Sequence, residues 1–164
     1  MEHNNAIFFW GVNHEFGWLS NFYKSDFVDS DNNKYNCNEK YFMAHKCLTF
    51  APENKLILDQ IMAQTDPLRI KNFGRKIPNF NEEIWTTVKY NIMVDGLRLK
   101  FSQNENLKNK LMLTKDKMLY EASPYDSIWG IGLTGYKAMN LQPNSYRGQN
   151  LLGLALMEVR SELK

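Results

Sequence analysis

Residues 81–101, NEEIWTTVKYNIMVDGLRLKF, give the clearest structural signal in this 164-residue chain. Their apolar residues recur with the 3.6-residue period of an α-helix, and we expect these residues to form one buried stripe. The stripe comprises Ile84, Trp85, Val88, Ile92 and Leu99. A helix of this length must bury one face against other elements, so this segment predicts a protein built mainly from packed helices.

Shorter segments on both sides of this helix complete the predicted fold. AIFFW near the N-terminus and KMLYEA read as strands, and SDFVDSDNNKYNC places apolar residues around a turn, as in a hairpin. Another helix is expected to begin after Asn36 and to end before Pro52. Further helices are predicted over residues 53–64, 67–73, 105–113 and 150–163. The pattern indicates a mainly helical α+β fold, with one domain over residues 1–164 and a small antiparallel sheet near the N-terminus.

The composition excludes several classes of protein. The net charge of +2 is too small to indicate nucleic-acid binding by itself. No window approaches the ~18 consecutive apolar residues of a membrane-spanning helix, so no membrane association is expected. Cys37 and Cys47 form no CxxC pair, and we expect reduced thiols in a cytoplasmic protein. Aromatic residues make up 13%, a surplus that usually packs in the core and otherwise lines a pocket for a flat ligand.

Neither a metal site nor a dinucleotide site is indicated. The histidines form no HxxxH or HExxH pair, so no metal is expected. Residues 130–135, GIGLTG, match GxGxxG literally. A dinucleotide fingerprint requires a long following helix within a βαβ unit, but here Pro143 ends the following segment and only 29 residues remain after Gly135. We interpret the segment as a glycine loop, with a loop that borders a ligand's phosphates as the alternative. No cofactor is predicted.

The stretch NEKYFMAHK, residues 38–46, places two charged residues on an apolar helix face. On a helical wheel, Glu39 and Lys46 continue the stripe formed by Phe42, Met43, Cys47 and Phe50. Two structural interpretations compete with a functional one. Glu39 can close a capping box with Asn36, and Lys46 can extend its stem along the core with its ammonium in water. Burying a charge is costly unless the charge is paired or used, so the inward placement also favours a functional role.

Four further residues are candidates for a functional role. Asp126 and Trp129 lie in the loop YEASPYDSIWG, a composition typical of sites, although Asp126 can equally cap a turn. Trp85 is expected either in the core or as a platform for a ligand. Asn150 is a suitable N-cap for the last helix, whose free backbone N–H groups would accept a phosphate.

Six segments together resemble the NADAR family. They are HEFGWLSNFY, CNEKYFMAHK, GRKI…IW…VK, LRLKFSQNENLKNKLMLT, LYEASPYDSIWG and GQNLLGLALMEVR. They occur in the family's order and spacing and cover about residues 7–160. The resemblance implies a single domain with that family's fold and an enzyme that cleaves N-glycosidic bonds.

The resemblance also implies which residues act. The catalytic positions would be Glu39, Lys46, Trp85 and Asp126. The substrate-binding positions would be Ser20, Asn21, Phe22, Arg75, Trp129, Gly130, Gly148 and Asn150. In this interpretation, Lys46 attacks the anomeric carbon and holds the sugar as a Schiff base, while Glu39 moves protons. Direct attack by water, with Lys46 as an electrostatic partner, is the alternative.

The family's members imply two classes of substrate. One is an early phosphoribosylated intermediate of riboflavin synthesis, and the other is an ADP-ribosylated guanine base in nucleic acid. The chain has Lys40 where the family commonly has histidine, Met43 and His45 where it has glutamine, and a longer segment between Trp129 and Asn150. These departures favour ADP-ribosylated guanine. A non-catalytic module that binds ADP-ribose or NAD is the third possibility, and the sequence leaves the oligomeric state open.

Overall fold

The computed structural model describes residues 1–164, which form two compact units. The sheet unit comprises residues 1–23 and 105–164, and the helical unit comprises residues 24–104. Both combine helices with short strands, so the predicted mainly helical α+β class is confirmed. No helix is both long and apolar enough to cross a bilayer.

Seven α-helices and five strands make up the chain. The strands are β1 (Glu2–His3), β2 (Ala6–Phe9), β3 (Phe27–Val28), β4 (Lys34–Tyr35) and β5 (Met118–Glu121). The helices are α1 (Asn38–Phe50), α2 (Lys55–Ala63), α3 (Pro67–Gly74), α4 (Glu82–Ser102), α5 (Glu105–Leu113), α6 (Gly135–Ala138) and α7 (Leu151–Glu162). Two short 3-10 turns lie at Gly17–Leu19 and Pro143–Ser145.

The sheet unit is built on three strands in the order β1-β2-β5. β1 and β2 form the antiparallel pair expected near the N-terminus, whereas β5 pairs with β2 in parallel, with Ala6 opposite Met118. A parallel pair needs a long connection, and residues 24–104 lie within that connection. All four residues of β2 are buried, as in a central strand covered on both faces. α7 packs against β5.

The helical unit is organised around α1. This helix contacts α2, α3 and α4, and β3 pairs with β4 as the predicted hairpin. Two glycines permit close approach to α1. A Cβ atom on Gly96 of α4 would overlap the side chains of Asn38 and Tyr41, and one on Gly74 of α3 would overlap the sulfur of Met43.

The long helix was predicted correctly, but most of its predicted buried stripe was wrong. The residues of α4 that are buried are Trp85, Lys89, Met93, Val94, Gly96, Leu97, Lys100 and Phe101. Of the predicted stripe, only Trp85 belongs to this set, and Ile84 is 50% exposed. Helix packing explains the difference. Because α1 contacts α4 at Gly96, the face of α4 that contains Gly96 is the buried one.

The predicted cap of α1 was also wrong. The helix begins with Cys37 at the N-cap position, without a side-chain cap hydrogen bond. The side-chain amide of Asn36 instead donates to the backbone oxygen of Thr65 at 3.0 Å. Glu39 nevertheless lies in the first turn, where a carboxylate is favoured by the helix dipole. Cys37 and Cys47 are buried thiols that form no disulfide.

Candidate active site

Lys46 projects from α1 into an aromatic corner of the helical unit. Its Nζ donates a hydrogen bond to the backbone oxygen of Gly74 at 3.1 Å and lies 4.3 Å from the centroid of the Phe80 ring. The Trp85 ring is 5.7 Å away. Burial among these groups lowers the pKa of Lys46 below its ordinary value. A larger share of the side chain is therefore neutral amine, the nucleophilic form, than for a lysine in water.

Three charged groups modulate this effect. Glu82 and Glu39 raise the pKa of Lys46 because each favours its protonated form, while Arg75 opposes them. Glu39 is only 5% exposed, and its carboxylate acts on the ammonium across the same side of α1. The structure therefore brings the two residues of the NEKYFMAHK stretch within electrostatic range of each other. Such a pair can supply a nucleophile and a proton carrier to one bound substrate.

Trp85 forms the wall behind Lys46. Its ring centroid lies 5.0 Å from that of Phe42 and 6.0 Å from that of Phe50. The side chain is 7% exposed, so most of the indole is taken up by packing. This burial favours the interpretation of Trp85 as a core residue over that of a platform for a ligand. In that position the indole still shields Lys46 from water.

Two residues near Lys46 were missed by the sequence interpretation. Phe80 is 43% exposed and packs edge-on against Phe50, with the ring centroids 5.2 Å apart. Glu82 lies in the first turn of α4, where its Oε1 is 3.7 Å from Nζ of Lys89. A signal for Glu82 existed, because it stands three residues before Trp85 and therefore on a neighbouring part of the helix surface. Phe80 stands in an irregular segment, for which periodicity gives no orientation.

Arg75 is brought to the same place as Lys46. It follows α3 as the C-cap residue and is exposed, and its Nη1 lies 3.5 Å from Oδ1 of Asn72. Arg75 directly follows Gly74, the hydrogen-bond partner of Lys46, and its positive charge contributes to lowering the pKa of that amine. An exposed guanidinium at this position is suited to a phosphate group.

The remaining predicted site residues belong to the sheet unit. Asp126 uses Oδ1 to accept hydrogen bonds from the backbone N–H groups of Ile128 at 2.9 Å and Trp129 at 2.8 Å. This is the turn-capping role that the sequence left open. The other carboxylate oxygen makes no hydrogen bond within the chain, so Asp126 can cap the loop and still offer an acceptor to a ligand.

Two of the backbone N–H groups that were expected to bind a phosphate at the start of α7 are already paired. The N–H groups of Leu151 and Leu152 already donate to the backbone oxygens of Ile128 and Trp129, both at 3.1 Å. Asn150 occupies the N-cap position, but its side chain does not cap the helix. It bridges to β5 instead, where Oδ1 accepts from the N–H of Glu121 and Nδ2 donates to the oxygen of Leu119, both at 2.9 Å. These bonds fasten the helix start to the sheet.

The loop glycines and the Ser20 segment have local structural partners. A Cβ atom on Gly148 would overlap the backbone oxygen of Gly130. The backbone segments around these two residues therefore approach so closely that only glycine fits at position 148. Ser20 and Asn21 are each 8% exposed and follow the first 3-10 turn. The Ser20 hydroxyl accepts from the N–H of Phe22 at 3.2 Å. Their part in substrate binding stays a prediction.

Known proteins share this architecture and sequence. The family model described as the NADAR domain matches residues 8–164. The chain is 40% identical over 169 residues to a protein named N-glycosidase R617 from Acanthamoeba polyphaga mimivirus, covering 99% of this chain and 98% of that protein. It is also 30% identical over 168 residues to the riboflavin biosynthesis protein PYRR, chloroplastic, of Zea mays, covering 97% of this chain but only 25% of PYRR.

The third relative has a solved structure. The protein named N-glycosidase YbiA from Escherichia coli strain K12 is 29% identical over 160 residues, covering 98% of this chain and 89% of that protein. The NMR structure of Escherichia coli YbiA matches 99% of this chain and 87% of that chain with a TM-score of 0.78 and 28% identity. The expected enzyme class, a hydrolase of N-glycosidic bonds, is confirmed by such full-length similarity to named N-glycosidases. The chain belongs to the NADAR family.

Proposed function

We propose that this enzyme removes ADP-ribose from ADP-ribosylated guanine in nucleic acid, with Lys46 as the nucleophile and Glu39 as the proton carrier. The observation that carries the mechanism is the environment of the Lys46 amine. The amine is held against Gly74 and Phe80, its pKa is lowered by burial, and it lies within electrostatic range of the buried carboxyl of Glu39. A neutral, positioned amine is what attack at an anomeric carbon requires.

The reaction balances with one water molecule. The neutral Lys46 amine attacks C1 of the ribose as the bond from C1 to the base breaks, and Glu39 supplies the proton that the departing base takes up. The amine then loses a proton, the ring oxygen leaves C1 and is protonated, and a Schiff base joins Lys46 to C1. Water adds to C1, the amine departs, and free ADP-ribose and the regenerated lysine result. The Glu39 carboxylate that remains after proton transfer to the base stabilises the positive charge that develops at C1.

The surroundings of Lys46 suit a phosphorylated substrate. Arg75 is exposed close to the amine and can pair with a phosphate of the ADP-ribosyl group. Phe80 keeps part of its ring open to solvent beside the amine and can stack on the ribose or on the base. Asp126 of the sheet unit keeps one carboxylate oxygen without a hydrogen bond in the chain, and its part in catalysis stays a prediction.

Hydrolysis of a phosphoribosylated riboflavin intermediate is the second candidate, favoured by the similarity to PYRR, a protein named for riboflavin biosynthesis. The two candidates need the same bond cleavage and differ in the base and in the second phosphate. Both substrates should therefore be assayed side by side, with an oligonucleotide that carries ADP-ribosylated guanine in one reaction and the riboflavin intermediate in the other. We expect free ADP-ribose in the first reaction at the higher rate. Binding without release of either sugar would instead indicate a non-catalytic reader.

The covalent step is tested by trapping. Borohydride added during turnover should reduce the Schiff base, and intact mass should show one added sugar group on Lys46. The Lys46→Arg variant keeps the charge but cannot form the adduct, and Lys110→Arg on exposed α5 surface is the matched control. Turnover without any trapped adduct would contradict the Schiff base and support direct attack by water.

A further inference from the structure

A cavity of about 420 Å³ lies inside the sheet unit, apart from every residue assigned above to glycoside chemistry. Its walls come from the first two strands and their connecting turn, from β5, and from the segment between α6 and the second 3-10 turn. A volume of this size lies within the range of about 300–1,000 Å³ typical of small-molecule sites. The cavity can therefore hold a compact organic ligand.

One polar group that lines this cavity makes no hydrogen bond within the chain. The side chain of Tyr120 is 8% exposed, and its hydroxyl makes no hydrogen bond within the chain. The neighbouring Tyr146 differs, because its hydroxyl donates to the backbone oxygen of Ala138 at 3.2 Å. Burial raises the pKa of Tyr120, which keeps the hydroxyl protonated and able to donate. Because this hydroxyl is accessible and unpaired within the chain, it is available to donate to a ligand that enters the cavity.

The walls of the cavity are aromatic and apolar. The ring of Tyr120 stacks on Phe8 with centroids 5.3 Å apart and meets the ring of Tyr146 edge-on at 5.2 Å. Met118 and Met139 also line the space. Rings and thioethers of this kind favour a ligand with flat, apolar faces.

The polar groups of the lining are mostly amides, together with the imidazole of His3. Asn4, Asn5 and Gln142 line the cavity, and their side chains make no hydrogen bonds within the chain. No lysine, arginine, aspartate or glutamate lines it. A side-chain amide presents a donor and an acceptor together and can pair with the edge of a nucleobase. A phosphate would find no lysine or arginine in this cavity.

We propose that this cavity is a second binding site, which takes an uncharged nucleoside with its base between the aromatic and methionine walls. The hydroxyl of Tyr120 donates to the base, and the amides of the Asn4–Asn5 turn and Gln142 read its edge. The site involves no group of the Lys46 chemistry, so it stands whether or not the proposed reaction is correct.

The two methionines in the walls allow a direct test by NMR. The chain is labelled with ¹³C at the methionine methyl groups and titrated separately with adenosine, guanosine and cytidine. We expect the Met118 and Met139 methyl signals to shift and saturate with at least one nucleoside, while Met43, which packs against Gly74 of the helical unit, reports on binding near Lys46. Adenosine monophosphate should bind no tighter than adenosine, because no lysine or arginine lines the cavity.

A tyrosine variant tests the hydrogen bond itself. Tyr120→Phe removes only the hydroxyl, and we expect the affinity for the bound nucleoside to fall about fivefold or more. Tyr136→Phe is the matched control, since Tyr136 is 73% exposed and does not line the cavity. The proposal is overturned if no nucleoside shifts Met118 and Met139 at millimolar concentration, if ribose alone shifts them equally, or if Tyr120→Phe binds as tightly as the wild type.

Discussion

The Nζ atom of Lys46 donates to the backbone oxygen of Gly74 at 3.1 Å, across 28 positions of sequence. This bond fixes the end of a flexible side chain against α3, in a corner closed by Phe80 and Trp85. Fixing an amine in this way reduces the entropy lost when a substrate must be attacked from one direction. It also holds the amine where burial keeps its pKa low.

Glu82→Gln should move the pH dependence of turnover. Glu82 raises the pKa of Lys46, so the removal of its charge should lower that pKa further and make the neutral amine available at lower pH. The acidic limb of the kcat/KM profile should then shift to lower pH. The matched control is Glu83→Gln, an exposed neighbour in the same turn of α4. If the acidic limb of the kcat/KM profile is unchanged in Glu82→Gln, this limb does not reflect the pKa of Lys46.

Glu39→Gln should slow turnover by about 10²- to 10⁴-fold, the usual contribution of a positioned proton carrier. The amide keeps the shape of the carboxyl but cannot exchange protons. Rates are measured with the better of the two substrates, and a thermal melt checks that the variant folds. Glu53→Gln, on an exposed position after α1, controls for general effects of charge loss. Hydrolysis at the wild-type rate by Glu39→Gln would refute its role as proton carrier.

Gly96→Ala should destabilise the chain although alanine favours helices. The added Cβ atom would overlap Asn38 and Tyr41 of α1, and overpacking of this kind costs about 1–3 kcal/mol. The gain in helix propensity is about 1 kcal/mol and offsets only part of that cost. Urea unfolding measures the difference, with Asn91→Ala on the exposed side of the same helix as control. A free energy of unfolding equal to or greater than that of the wild type would show that α1 can shift to accommodate the added Cβ atom without loss of stability.

Lys100 should make stability depend on pH. Burial lowers the pKa of this fully buried side chain to about 7, whereas the ordinary value is 10.5. Above pH 7 the unfolded chain therefore binds more protons at this site than the folded chain, so the free energy of unfolding should rise with pH from about 7 to 8.5. At higher pH the buried Cys37 thiol, whose pKa burial raises to about 11, contributes the opposite slope.

The Lys100→Met variant isolates this contribution. It keeps a similar volume and removes the titrating group, so the rise between pH 7 and 8.5 should become smaller than in the wild type. Some slope should persist because burial also lowers the pKa values of Lys40 and Lys46. Denaturant melts at several pH values give the comparison. Identical slopes for the two proteins would show that Lys100 does not titrate in this range.

Much of the local structure could be read from the sequence because it depends on near neighbours. The 3.6-residue period identified α4 and placed Glu39 and Lys46 on one side of α1, since residues seven apart lie almost two turns apart. The resemblance to the NADAR family added the type of reaction. Proline and N-cap signals located the helix ends to within a few residues.

Other features depend on groups that are distant along the chain. The period of α4 could not reveal which face turns inward, because that choice follows from the approach of α1 at Gly96. The parallel pairing of β2 with β5 joins residues more than a hundred positions apart. The side chain of Asn150 hydrogen-bonds to β5 instead of capping α7. The pKa of the Lys46 amine likewise depends on groups distant along the chain, because burial against Gly74 and Phe80 lowers it and the charge of Glu82 raises it. Periodicity is a property of a segment, whereas desolvation and charge are properties of the space around a side chain, and that space exists only once the helices have packed.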